Sequence, residues 1–263
     1  MTGAIHEQLI AIEHGAYLRS SGESTLPAPG VRILFACESG SRAWGFASPD
    51  SDYDVRFIYA QPRNSYLSIR EQRDVIELPV NPLLDVNGWD IRKALQLFLK
   101  SNSPLYEWLQ SPIVYKEETG FAAHLRSLMP EYFSHRAGCH HYLSMAYNAL
   151  TNDLRADSVR LKKYFYALRP TLACGWILEK QAVPPMEFGV LRTIVTDKAW
   201  NAAVDNLLRR KVQSDEKTLI PPVSLLQDWL EITLGQYREK ADNLTAVKNE
   251  TQQLDEIFRN YIA

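Results

Sequence analysis

At 263 residues, with 46% hydrophobic and 23% charged residues, the chain has ordinary globular usage and enough length to bury a sizeable core as one elaborated domain or two packed ones. A formal net charge of −2 excludes a global polyanion-binding surface, so a nucleic acid would have to be met by a local basic patch. The three cysteines, Cys37, Cys139 and Cys174, are far apart and odd in number, no apolar run reaches membrane-spanning length, and the N-terminus lacks a basic segment followed by an apolar one, so a reducing cytoplasm is expected rather than a disulfide framework, a metal knuckle, export or a membrane.

Residues 4 to 19 set Ile5, Leu9, Ile10, Ile12 and Leu18 at helical intervals, and Ser20-Ser21-Gly22 with Pro27, Pro29 and Gly30 interrupts the pattern. Val31 to Ala36 reads as a buried strand, followed by the Gly40-Ser41 turn and a short helix over Arg42 to Phe46. Tyr53, Val55, Phe57 and Tyr59 alternate with Asp52, Asp54, Arg56 and Ile58, the period of a strand whose charged face is expected to turn away from the main packing layer. Tyr66 to Ile69, Val75 to Val80 and Leu83 to Val86 are further strand candidates. Asp90 opens an amphipathic helix, another begins at Pro104, and helical spacing fills 118–130, 134–154, 158–181, 186–195, 198–212 and 223–262. The expected fold is α+β: a small mixed β-sheet domain over residues 1–115, then a helical domain over 116–263.

Ten residues separate Ser41 from Asp52. A Gly-Ser turn opening a helix offers N–H groups and a hydroxyl to phosphate oxygens, and two carboxylates two residues apart leave one face of a strand together, so the pair outlines a nucleoside triphosphate (NTP) beside magnesium. In nucleotidyl transfer an acceptor hydroxyl attacks the α-phosphorus and pyrophosphate leaves, and two Mg2+ ions held by several carboxylates can stabilise the charge at both ends, with Mn2+ an alternative ion. Asp52 and Asp54 supply two metal ligands. Asp90 is the first choice for a third, against a competing role as N-cap of the helix it precedes, and Glu77 and Asp85 stand behind it. Gly40 and Ser41 are expected to seat the triphosphate. Arg42 is a candidate for phosphate contact or for ion pairing, Arg56 for pairing with the aspartates, and Glu38 receives no role.

Farther along, Lys162, Tyr166 and Arg169 share one helical face and are candidates to clamp the triphosphate and stack the base. The competing account is a buried stripe of Leu161, Phe165, Leu168 and Leu172 with the basic residues coating the solvated side. His140 and His141 diverge on a helix and read as ordinary helix positions. The apolar stripe from Leu225 to Tyr261 reads as intramolecular packing, with a dimer interface or an acceptor surface as alternatives, and the oligomeric state stays open.

Gly-Ser, a spacer and Asp-x-Asp resemble the signature of the DNA polymerase β nucleotidyltransferase superfamily. Glu38-Ser39-Gly40-Ser41-Arg42-Ala43-Trp44-Gly45-Phe46 and Ser51-Asp52-Tyr53-Asp54-Val55-Arg56 are similar to the YcgL-like or RlaP family of predicted nucleotidyltransferases associated with RNA-repair ligases, as are Asn87 to Lys93 and Lys162 to Pro170. The resemblance implies a polymerase-β-like palm, magnesium and an NTP such as ATP. It leaves the acceptor open between an RNA end in repair, a protein hydroxyl and a small-molecule hydroxyl, with a non-catalytic nucleotide-binding module as the non-enzymatic alternative.

Overall fold

The structure is a computed structural model that describes residues 1–16, 30–70, 72–79, 81–215 and 217–263, so Leu18, the breaks over 20–29 and Val80 lie outside the described residues. Helix α1 (Thr2–Glu13) buries Ile5, Leu9 and Ile12. Strand β1 (Arg32–Ser39) runs past the expected Ala36 because Cys37 and Glu38 are buried as well. A four-residue α2 (Ser41–Trp44) follows the turn, and β2 (Tyr53–Ala60) carries the Asp-x-Asp. The strand expected from Tyr66 is instead the end of a short helix, α3 (Arg63–Tyr66), which starts after Pro62, where a fixed φ favours helix entry.

The sheet continues with β3 (Val75–Glu77) and β4 (Leu84–Asp90), followed by α4 (Ile91–Leu99) and α5 (Ser103–Trp108). A further strand, β5 (Val114–Glu117), had no periodic signal, since two of its four residues are charged. Then come α6 (Phe121–Tyr132), α7 (His135–Asp153), β6 (Val159–Arg160), α8 (Leu161–Lys180), α9 (Phe188–Leu191), a 3-10 turn, α10 (Lys198–Val212), β7 (Leu219–Ile220), α11 (Ser224–Asp242) and α12 (Gln252–Tyr261). Among the described residues no helix is long and apolar enough to cross a membrane.

The fold is α+β, with a five-stranded mixed sheet in the order β3-β4-β2-β1-β5, in which β2 and β4 run parallel and the other pairs antiparallel. On one face α1 packs over Val55, Phe57 and Tyr59. The larger core covers the other face, joining Phe35 and Ile58 to Phe98, Phe121, Phe165 and Leu230. Ile58 belongs to the same alternating set as Asp54 and Arg56, so the charged end of β2 lies on the helix-covered face, not away from the main packing layer as the alternation suggested. Strand β5 straddles the boundary expected at residue 115, and residues on both sides of it share that core.

Candidate active site

Gly40 leaves β1 at φ 72° and ψ −154°, a conformation that glycine alone adopts without strain. A Cβ built there would lie 2.1 Å from Asp54 Oδ2. The missing side chain is what lets the carboxylate rest against the turn, so the two halves of the sequence motif touch.

Asp54 stands opposite Asp85 in the parallel register of β2 and β4. Register partners share a face, and Asp52, in the loop just before β2, is near enough for its charge to act on Asp54. Arg56 Nη2 donates to Asp54 Oδ1 at 3.2 Å and to Asp85 Oδ2 at 2.7 Å. The expected pairing of Arg56 with an aspartate is present, and its second partner identifies the third carboxylate of this face as Asp85.

Asp90 is not brought to this cluster. It pairs with Tyr59, five residues farther along both strands and roughly 17 Å away at about 3.3 Å per residue. Its Oδ1 accepts the Arg92 N–H at 2.8 Å, capping α4, and its Oδ2 accepts from the Tyr66 hydroxyl at 2.8 Å and Gln61 Nε2 at 3.3 Å. The capping role thus takes the residue, and burial, opposed by these bonds, pushes its carboxyl above the ordinary value. Glu77, the other runner-up, accepts from Asn87 Nδ2 at 2.8 Å near the sheet edge.

Behind Asp54 sits Glu38, fully buried and given no role by the sequence. Its Oε1 accepts the Asp54 backbone N–H at 2.8 Å and its Oε2 accepts from the Tyr115 hydroxyl, while its carbonyl accepts from Ser111 Oγ at 2.6 Å. Burial raises the Glu38 carboxyl, and the hydrogen bonds from Tyr115 and Asp54 resist the rise. Asp54 is pushed up to about 6, chiefly by burial and then by the negative charges of Asp52, Glu38 and Asp85, with Arg56 opposing. The arrangement concentrates acceptor oxygens that lack enough positive charge.

Hard oxygen donors of this kind fit Mg2+, which usually keeps several waters and takes one or two carboxylates plus substrate phosphates rather than a closed protein cage. Among the described residues no three His, Cys, Asp or Glu side chains are already gathered around one point. Asp52, Asp54 and Asp85 form an open set, with Gly40 making room for one of its oxygens.

Of the arginine and basic-helix candidates, Arg42 and Arg169 make their hydrogen bonds within the protein. Arg42 Nε and Nη2 donate to the carbonyls of Asp52 and Ser51 at 3.0 and 2.5 Å, and its guanidinium stacks 3.8 Å over Tyr53, so it ties down the loop entering β2. Arg169 is buried: Nη1 pairs with Glu107 Oε1 at 3.0 Å, and Nε and Nη2 donate to the Met186 carbonyl. That internal pair engages its guanidinium, whose carbon also lies 4.5 Å from the centre of the Trp44 ring. Tyr166 does reach the site's neighbourhood, edge-on to Trp44 of α2 with ring centroids 6.3 Å apart. Lys162 is half-buried in the first turn of α8, while Lys163 pairs with Asp153 at 3.1 Å. Trp44, Tyr166, Arg169, Asn148 and Asn152 are among the residues that line a cavity of about 380 Å³ beside α2.

Residues 5–260 match the family described as RlaP, the RNA repair pathway DNA polymerase beta family. The chain is 45% identical over 235 residues to the protein described as uncharacterized protein YcgL of Bacillus subtilis (strain 168), covering 89% of this chain and 90% of that relative. The crystal structure of a nucleotidyltransferase-like protein from Exiguobacterium sibiricum 255-15 aligns over 99% of this chain and 80% of that one, at 14% identity and a TM-score of 0.29. The family assignment rests on the two sequence matches.

Proposed function

The chain belongs to the RNA repair pathway DNA polymerase beta family, and from that premise we propose that it is a magnesium-dependent nucleotidyltransferase, moving an NMP from an NTP to the hydroxyl of an RNA end with release of pyrophosphate. The observation that supports this best is the contact between Gly40 and Asp54, which makes one site of a phosphate-seating turn and a carboxylate cluster.

Asp52, Asp54 and Asp85 would hold the magnesium. Bound there, it would supply Lewis-acid charge to the triphosphate and lower the pKa of the acceptor hydroxyl. Gly40 lets the backbone approach the phosphates, and Ser41 offers its hydroxyl to one of their oxygens. Glu38 fixes the Asp54 backbone, so the carboxylate stays on the turn. Arg56 balances the repulsion between Asp54 and Asp85. Tyr166 and Trp44 present aromatic surface for the base.

The test is incubation of the protein with Mg2+, NTPs labelled at the α-phosphate, and separate pools of RNA, protein and small metabolites. Label is expected in RNA, with matching pyrophosphate, and is expected to vanish in Asp54→Ala. Label entering protein alone would replace the RNA acceptor by a protein hydroxyl. Nucleotide binding without pyrophosphate from any pool would leave a non-catalytic module.

A further inference from the structure

We propose that Lys211 is a positioning residue for the phosphate-seating turn, acting on Ser41 through a buried line of serine hydroxyls. This rests on the reading that Gly40 and Ser41 seat a triphosphate. Lys211 lies in the last turn of α10, only 4% exposed, on the helix face that also buries Trp200, Val204 and Leu207. An ammonium is disfavoured on such a stripe unless it is hydrogen-bonded. Lys211 Nζ donates to Ser48 Oγ at 3.3 Å and sits 5.9 Å from the centre of the Phe46 ring.

From Ser48 the line continues inward. Ser48 Oγ is 3.0 Å from Ser51 Oγ, and Ser51 Oγ accepts from Ser41 Oγ at 3.1 Å. Ser48 and Ser51 are both buried, and they close a tight turn around Pro49 and Asp50, with Ser51 N–H on the Ser48 carbonyl at 3.1 Å and Ser48 N–H on Ser51 Oγ at 3.0 Å. A lysine ammonium has donors and no acceptor, whereas each serine hydroxyl both donates and accepts and can rotate. Ser48 must therefore accept from Lys211.

In this structure Ser41 donates its proton to Ser51, and the hydroxyls must rotate to reverse that bond. With a phosphate at the turn the line runs the other way: Lys211 donates to Ser48, Ser48 to Ser51, Ser51 to Ser41, and Ser41 to the phosphate oxygen. The buried cation biases the line toward this second sense, and each bond polarises the next. A charge on α10 thereby acts on the turn after β1 without touching the nucleotide.

The experiment measures equilibrium binding of a non-hydrolysable NTP with Mg2+ to the full chain, alongside thermal unfolding, for wild type, Ser41→Ala, Ser48→Ala, Lys211→Met, Lys211→Arg and the Lys211→Met/Ser48→Ala double variant. Lys211→Met and Ser48→Ala are each expected to weaken binding about tenfold, with the double variant no weaker than Lys211→Met alone because both cut one line. Lys211→Arg, which keeps a cationic donor, should retain most of the affinity. A folded Lys211→Met protein within about twofold of wild type, or single losses that simply add, overturns the proposal. Should Lys211→Met fail to fold, Ser48→Ala decides: affinity within about twofold of wild type also overturns it. Wild-type protein that binds no NTP refutes the assignment of the turn and this proposal together. Wild-type binding that Ser41→Ala weakens and neither Lys211→Met nor Ser48→Ala changes refutes the role of Lys211 alone.

Discussion

Asp54 and Asp85 lie opposite one another on parallel strands, and the single guanidinium of Arg56 spans them at 3.2 and 2.7 Å. Arg56 holds Asp54 by Oδ1 while Gly40 lies against Oδ2, so the carboxylate is fixed from both sides. A ligating group held this way needs little reorganisation when its ligand arrives, which is where much of the advantage of a preformed polar site comes from.

Asp85, not Asp90, is therefore the third residue whose loss should stop the chemistry. Asp85→Asn is expected to cut pyrophosphate release by roughly a thousandfold with the fold retained. Asp90→Ala removes the α4 cap and the partner of the Tyr66 hydroxyl, and is expected to cost about 1–3 kcal/mol of stability while turnover persists. Urea unfolding and steady-state pyrophosphate release separate the two effects. A well-folded but inactive Asp90→Ala protein would contradict this division of roles.

The Asp54 carboxyl, pushed up to about 6 from an ordinary 3.8, makes a pH-dependent stability prediction. Between those values the folded state holds a proton that the unfolded chain has lost, so stability falls as pH rises through this window. Allowing for solvent screening of a partly exposed group, the cost above it is about 1–2 kcal/mol. In metal-free buffer Asp54→Asn should raise the thermal midpoint at pH 8 and bring no such gain at pH 4. Calorimetry at both values checks this, and an equal gain at both would exclude an electrostatic origin.

Alternation and helical spacing made β1, β2, the start of β4 and most of the helices legible, because those signals are local. The closeness of Gly40 to Asp54 was legible too, since a short loop joins their strands. Asp85 was harder, because its value depends on β4 lying beside β2 in one particular register, and a strand's own alternation does not name its neighbour. Arg169 shares a helical face with Lys162 and Tyr166, yet its partner Glu107 comes from α5, far back in the chain. Glu38 carried no pattern at all. Lys211 did carry one: with Trp200, Val204 and Leu207 it completes an apolar helical stripe, where a lysine is anomalous.

Gly40→Ala tests the contact between turn and carboxylate. The new methyl would meet Asp54 Oδ2 at 2.1 Å on a backbone at φ 72°, so the carboxylate or the turn must move. Backbone strain alone is expected to cost about 1–3 kcal/mol, and activity should fall well beyond what that destabilisation explains. Metal titration of the variant by calorimetry is expected to show weakened Mg2+ binding even below its unfolding temperature. Wild-type Mg2+ affinity in the variant would mean that the turn and Asp54 are independent.

Tyr166 and Arg169 share α8 but should answer mutation in opposite ways. Arg169→Ala leaves the Glu107 carboxylate, which also accepts from the Tyr142 hydroxyl at 2.7 Å, without its buried cation, a change expected to cost about 3–5 kcal/mol. Tyr166 is 36% exposed and meets Trp44 in the lining of a cavity, so Tyr166→Ala should leave stability nearly unchanged. Lost stacking on the base would instead weaken NTP binding by about tenfold. Urea unfolding and NTP titration on both variants give the decisive comparison. If Tyr166→Ala binds NTP like wild type, the base lies elsewhere. If Arg169→Ala keeps its stability and loses NTP affinity, Arg169 serves the nucleotide and not the core.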